Sequence, residues 1–288
     1  KITTKQFIDL PLKHNAMSRT AKTLLLVCRI IIGATFIFSG FVKAVDPLGS
    51  TYKFIDYFNA FGMEWATGLA FGLSVLQCIA EFAIGVAVLF NLSIRLSSGL
   101  ALAFMVFFTP LTLYIAIKNP VHDCGCFGDA LVITNWQTFF KNIVLLVSAI
   151  VVFAKRKQTD CELKSAEQWS LCGVAVLAIG IFCAHSYRHT QVLDFRPFSI
   201  GTSIQEKMER PAGAPADVWE STFVYEKDGE QKEFSISNLP DSTWTFVDAR
   251  HTLVKKGYEP PIHDFSIVNA DGEDLTQDVL SSAEYNFL

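Results

Sequence analysis

The chain has 288 residues, of which 51% are hydrophobic and only 18% charged, with a mean hydropathy of +0.33. Soluble proteins carry about a quarter charged residues, so a wholly soluble protein is excluded. The formal net charge of −4 averages two unlike parts: residues 189–288 hold 8 Lys and Arg against 18 Asp and Glu, a net of −10, which leaves +6 for the rest. A basic apolar part joined to an acidic polar part argues against a nucleic-acid partner.

In chain order, residues 1–22 carry Lys1, Lys5, Lys13, Arg19 and Lys22 and read as a cytoplasmic segment. The apolar run that opens at Leu24 is too long for a signal peptide. A membrane span needs roughly 20 apolar residues to cross about 30 Å of hydrocarbon. Five stretches qualify: 24–43, 66–90, 98–117, 139–154 (reaching back to Trp136) and 169–187. The N-terminus, the 91–95 turn and the loop after the fourth span hold ten Lys and Arg, while the first and third loops hold only Lys43, Lys53 and Lys118. The positive-inside rule then places the N-terminus in the cytoplasm and everything after the fifth span outside. The expected organisation is a four-helix membrane bundle over 23–155, a cytoplasmic loop and fifth span over 156–188, and an extracytoplasmic soluble domain over 189–288. Both ends of the chain read as trimmed, the C-terminus in what looks like an opening strand.

Within the first loop, Phe54, Tyr57, Phe58 and Phe61 fall on one helical face. Such a stripe suits a helix lying in the membrane interface, which is the favoured reading; the alternative is a lid over an outward-facing cavity. Pro110 inside the third span is expected to kink it. In the soluble part, 223–225 and 233–236 flank Lys227-Asp228-Gly229-Glu230, a hairpin signal. Strands are further expected at 244–247 and 265–268, a turn at Asn269-Ala270-Asp271-Gly272, and a helix within 274–280. The fold class is thus membrane all-α, four helices plus a fifth, followed by a small α/β domain.

Seven cysteines are present. Cys28, Cys78, Cys172 and Cys183 fall in apolar spans, where a thiol usually acts as a small hydrophobic filler; Cys183 differs in lying near the outer end of its span. Cys161 falls in the cytoplasmic loop. Cys124 and Cys126 occupy the third loop, in His122-Asp123-Cys124-Gly125-Cys126-Phe127-Gly128-Asp129, on the side where disulfides persist. A bond across one residue makes a small, strained ring that exchanges readily, with Gly125 and Gly128 permitting the turn. A redox-active pair is favoured over a local structural disulfide and over half a metal site completed by His122 and an aspartate; no metal is assigned. Lys141 is a candidate thiolate stabiliser, opposed by Asp123 and Asp129.

Arg29, Gln77 and Glu81 are polar residues inside spans, where ionisable groups face a bundle interior or a cavity. They form a candidate cofactor-binding cluster, with a Glu81–Arg29 ion pair between the first two spans as the plainer expectation. Gly33, Gly40 and Gly85 form the small-residue faces on which such helices approach.

The first span, with Arg29, Gly33, Phe36, Ser39-Gly40, Lys43 and Asp46-Pro47, resembles the opening of the DoxX family, and Glu81 with Gly85 matches that family's second helix. The stretch from Asp123-Cys124-Gly125-Cys126-Phe127-Gly128 through Asn135-Trp136 to Lys141-Asn142 is similar to the related MauE-like branch, and the whole resembles DoxX proteins of Bacteroidota with a fifth span and an extracytoplasmic extension. The resemblance implies a four-helix bundle in a bacterial inner membrane, disulfide formation in partner proteins, and quinone-linked redox chemistry. His263-Asp264-Phe265-Ser266-Ile267 and the Asp271-Gly272 turn are similar to part of a thioredoxin-like fold, although no cysteine follows Cys183. Two functions remain open. One is extracytoplasmic thiol–disulfide chemistry at Cys124 and Cys126, with a quinone as the possible cofactor near Glu81 and a thioredoxin-like or disulfide-bearing protein as partner. The other is a non-enzymatic anchor in a larger envelope complex, with a rigid cysteine loop and the membrane lipid as its surroundings.

Overall fold

The computed structural model describes residues 18–281, apart from single positions 122, 160, 228, 256, 259 and 264. Five helical segments are long and apolar enough to cross a membrane: Arg19–Val45, Glu64–Leu89, Ile94–Lys118, Asn135–Lys155 and Ser165–Arg188. The chain is a multi-pass membrane protein. It divides into two compact units, Lys1–Phe195 and Arg196–Leu288.

Helix α1 (Arg19–Val45) starts where Ser18 accepts a hydrogen bond from Ala21 N and stops at Asp46, two residues further than the sequence count placed its end. Asp46 also caps α2 (Pro47–Ala60) by accepting from Gly49 N, with Pro47 in the first turn, where its missing N–H costs nothing. A short 3-10 segment, Glu64–Leu89 being continuous through it, leads into α3 (Ala70–Leu89). Helix α4 (Ile94–Lys118) continues through Pro110, and Thr112 Oγ1 donates to the Phe108 and Thr109 carbonyls beside it. Helix α5 (Asn135–Lys155) opens on a capping box between Thr134 and Gln137. Helix α6 (Ser165–Arg188) is joined to the α3–α4 turn by Gln168, whose Oε1 accepts from Ser93 N.

Glycine sets the closest approach in the bundle, between α1 and α3. A Cβ on Gly33 would lie 2.6 Å from Leu89 Cβ, one on Gly40 would lie 2.7 Å from Phe82 N, and one on Gly85 would lie 2.7 Å from Ile37 N. Backbones packed this closely gain dispersion contacts that lipid cannot replace. One apolar core joins α1, α3, α4 and α5 around Ile32, Phe36, Val88, Met105 and Ala149. A second joins α1 and α3 to α6 through Ala44, Cys78, Ile179 and Cys183. The outer faces stay apolar and exposed, as at Leu76, Val106, Val147 and Ile181, which is the surface that hydrocarbon covers.

The second unit contains α7 (Ile204–Met208), strands β1 (Val218–Lys227), β2 (Glu230–Ser235) and β3 (Thr245–Lys255), and α8 (Thr276–Ser281). The sheet is antiparallel in the order β2-β1-β3, with Phe223 opposite Phe234 on one side and Ala249 on the other. The expected hairpin, turn and final helix are present. The strand expected at 265–268 is not: it makes a single bridge, Val268 to Asp274, because the Asn269–Glu273 turn folds the chain back at once. Strand pairing in the thioredoxin manner, with parallel neighbours, is absent among the described residues. The strand opening expected at 285–288 lies outside them.

Candidate functional site

The site is built where α1 runs past the membrane count. Because the helix continues to Val45, Lys43 is helical, only 5% exposed, and aimed into the bundle. Its Nζ donates to Glu81 Oε2 at 2.8 Å, to Ser39 Oγ at 2.7 Å and to the Cys126 carbonyl at 2.9 Å. Ser39 Oγ lies 2.7 Å from both Glu81 Oε2 and the Cys126 carbonyl, so one hydroxyl proton serves two acceptors. Glu81 Oε1 accepts from Gln77 Nε2 at 2.7 Å. A buried ion pair survives only where its remaining donors and acceptors are satisfied, and here the cysteine loop supplies one of the acceptors.

Cys124 and Cys126 are disulfide-bonded, with Cα atoms 5.5 Å apart. Gly125 between them has a φ of +63°, a left-handed conformation that favours glycine. Asp123 shapes the turn by accepting from Gly125 N and from Lys53 Nζ of α2. Tyr57, also on α2, donates its hydroxyl to the Cys124 carbonyl at 2.9 Å. Burial, then the charges of Asp123 and Asp56, push the Tyr57 hydroxyl above its ordinary value and keep it a donor. The loop is therefore held by its carbonyls, one to each side, while its sulfurs carry none of these bonds.

Beneath the loop lies a cavity of about 410 Å3. Its walls include Phe54, Phe58 and Phe61 of α2 and Phe104, Phe107 and Phe108 of α4; Lys43, Gln77, Glu81 and Lys141 supply its polar groups beside Cys124 and Cys126. The aromatic stripe of α2 thus faces a cavity, which corrects the interfacial reading in favour of the lid. Lys141 sits 4.3 Å above the Phe127 ring, a cation–π contact that holds its charge near the loop.

The structure brings Glu81, Gln77, Lys141, Cys124 and Cys126 together and sends Arg29 elsewhere. The expected Glu81–Arg29 pair does not form. Arg29 donates to the Val88 and Leu89 carbonyls at the end of α3, at 3.0 and 2.7 Å. The helices run antiparallel, so Gly33 meets Gly85, Gly40 meets Cys78, and Arg29 falls two turns from Glu81. That register was available in the glycine spacing. Lys43, counted as a loop residue, and Ser39 are the site residues that sequence reasoning missed. His122, the third ligand of the metal reading, lies outside the described residues, and no group of three or more His, Cys, Asp or Glu suited to a metal occurs among those described.

Residues 21–155 match the family model described as methylamine utilisation protein MauE. Over these residues, a little under half of the chain, the membrane bundle is similar to that family. The match covers α1 to α5, and hence every residue of the cavity and of the cysteine loop, and stops before α6. Residues 219–256 match a domain of unknown function, DUF8463, which spans the three-stranded sheet. No curated protein and no solved structure matches the chain.

Proposed function

We propose that the MauE-like bundle carries out thiol–disulfide exchange on extracytoplasmic proteins from a bacterial inner membrane, with the N-terminus cytoplasmic and the second unit periplasmic. The observation that carries this reading is the closed Cys124–Cys126 disulfide seated on a buried Lys43–Ser39–Glu81 cluster at the wall of an aromatic cavity. Exchange needs an electrophilic sulfur that a partner thiolate can reach, and a positive field to steady the thiolate that leaves. Lys43 and Lys141 are the basic groups placed to supply that field, beside the Glu81 carboxylate. The second unit has no cysteine after Cys183, so its part is to dock partner proteins.

The cavity fits a quinone by size and chemistry: rings of α2 and α4 would flank it, and Gln77 and Lys141 would meet its oxygens. When bound, a quinone supplies a two-electron, two-proton acceptor. The chain's own residues hold the proton inventory. Ser39 shares one proton between Glu81 and the Cys126 carbonyl, and Lys43 donates three hydrogen bonds. Tyr57 and Lys53 close the cavity under the loop.

Trapping tests the reading. In membranes, Cys124→Ser and Cys126→Ser variants are expected to accumulate mixed disulfides with exported proteins, at the cysteine that remains. A folded variant that forms none overturns the exchange function and favours an anchoring role.

A further inference from the structure

The charges that line the cavity do not balance. Its walls carry Lys43, Lys53, Glu81 and Lys141. Lys43 has three N–H groups to give, and all three are used: on Glu81 at 2.8 Å, on Ser39 at 2.7 Å and on the Cys126 carbonyl at 2.9 Å. Lys53 ends on Asp123 at 2.7 Å. Lys141 differs. Among the described residues its ammonium makes no hydrogen bond and no ion pair; its contact is the face of the Phe127 ring, 4.3 Å away. That ring follows Cys126 directly in the chain, which keeps the ammonium beside the disulfide loop. An ammonium at an apolar wall costs free energy unless an anion or acceptors meet it. Lys141 is half-buried and lines the cavity, so its donors are open to whatever the cavity holds.

We propose that the cavity is selective for an aromatic ring bearing one anionic oxygen, and that Lys141 is the residue that selects it. The ring lies among Phe54 and Phe58 of α2 and Phe104 and Phe108 of α4, where ring–ring contacts add to its burial. The anionic oxygen takes the Lys141 ammonium as its counterion. Glu81 does not exclude that anion, because Lys43 and Ser39 donate to its Oε2 and Gln77 donates to its Oε1. A neutral carbonyl accepts a hydrogen bond from Lys141 but leaves the charge uncompensated. The inference rests on the quinone reading of the cavity and narrows it: the favoured class is an ionised hydroxyquinone, in preference to an uncharged ring of the same size.

The full chain in nanodiscs, its free thiols alkylated and its Cys124–Cys126 bond intact, is titrated with two probes, with empty nanodiscs subtracted. One is lawsone, a hydroxynaphthoquinone that is ionised at neutral pH; the other is its uncharged methyl ether. Lawsone is expected to bind about tenfold or more tightly, the worth of a hydrogen bond between charged groups. In Lys141→Met and Lys141→Gln that advantage should vanish, while the ether binds as it does to the native chain. Equal affinity of the native chain for the two probes overturns the selectivity and leaves the quinone reading standing. A preference for lawsone that both variants retain overturns the assignment to Lys141. Binding of neither probe overturns the quinone reading and this inference with it. The comparison on the native chain needs no variant, so it decides the selectivity whether or not the substituted chains fold.

Discussion

Lys43 and Arg29 stand fourteen residues apart on one helix, and lipid-embedded packing neutralises them in opposite ways. Arg29 directs its hydrogen bonds to the Val88 and Leu89 carbonyls at the end of α3, where a helix leaves carbonyls short of partners. Lys43 faces a carboxylate, a hydroxyl and the carbonyl of a disulfide cysteine. The first arrangement closes a helix end and leads nowhere further. The second connects a buried charge to the disulfide loop. A charge inside a membrane protein thus points to function by the partners it is given, since depth alone is shared by both.

Breaking the two arrangements should separate them. Lys43→Met strands Glu81 as a buried carboxylate, and the expected loss is about 3–5 kcal/mol, read as a lower melting temperature in detergent together with loss of mixed-disulfide trapping. Arg29→Ala removes a donor from the Leu89 carbonyl and one from the Val88 carbonyl, which keeps Asn91 N, and should cost about 1–3 kcal/mol. Trapping at the cysteine loop should survive in that variant; if both variants lose it equally, the contrast between the two ends is wrong. Gly125→Ala forces a side chain into a left-handed turn at roughly 1–2 kcal/mol, and its Cβ meets the flexible Lys53 stem, which can move aside. Its effect should appear as faster reduction of Cys124–Cys126 by dithiothreitol.

The smallest effect belongs to Tyr57. Its pKa is raised in the folded protein, chiefly by burial, so the folded state binds the hydroxyl proton more tightly than the unfolded chain. The stabilisation is complete below the ordinary tyrosine value of about 10 and is lost as pH rises through the higher folded value. The melting-temperature gap between the native chain and Tyr57→Phe, about 1 kcal/mol in origin, should stay flat to about pH 10 and narrow above it.

Spans, loops and the cysteine pair were legible because length, apolarity and a two-residue spacing are local properties. Lys43 was not, because as the last residue of the counted span it was tallied with the loop, whereas α1 continues past it for a further half turn. Arg29 was assigned to Glu81 because the helices are consecutive; adjacency says which helices touch, and only the register set by Gly33, Gly40 and Gly85 says at what level. The α2 stripe was legible as a stripe, but rings that suit lipid suit a cavity equally well. In the second unit, 265–268 has the composition of a strand and makes one bridge, to Asp274, among the described residues, which no local pattern reveals.

The Cys-Gly-Cys loop is anchored through the Cys124 and Cys126 carbonyls to Tyr57, Ser39 and Lys43. Opening and closing the S–S bond therefore leaves its supports in place. On the proposed exchange function, a loop held this way is expected to keep its backbone position when the S–S bond opens and to present the same outline to a partner in both states. Under that reading, a surface alike in both states would not discriminate between them by shape, and release of a spent partner would be driven by sulfur chemistry.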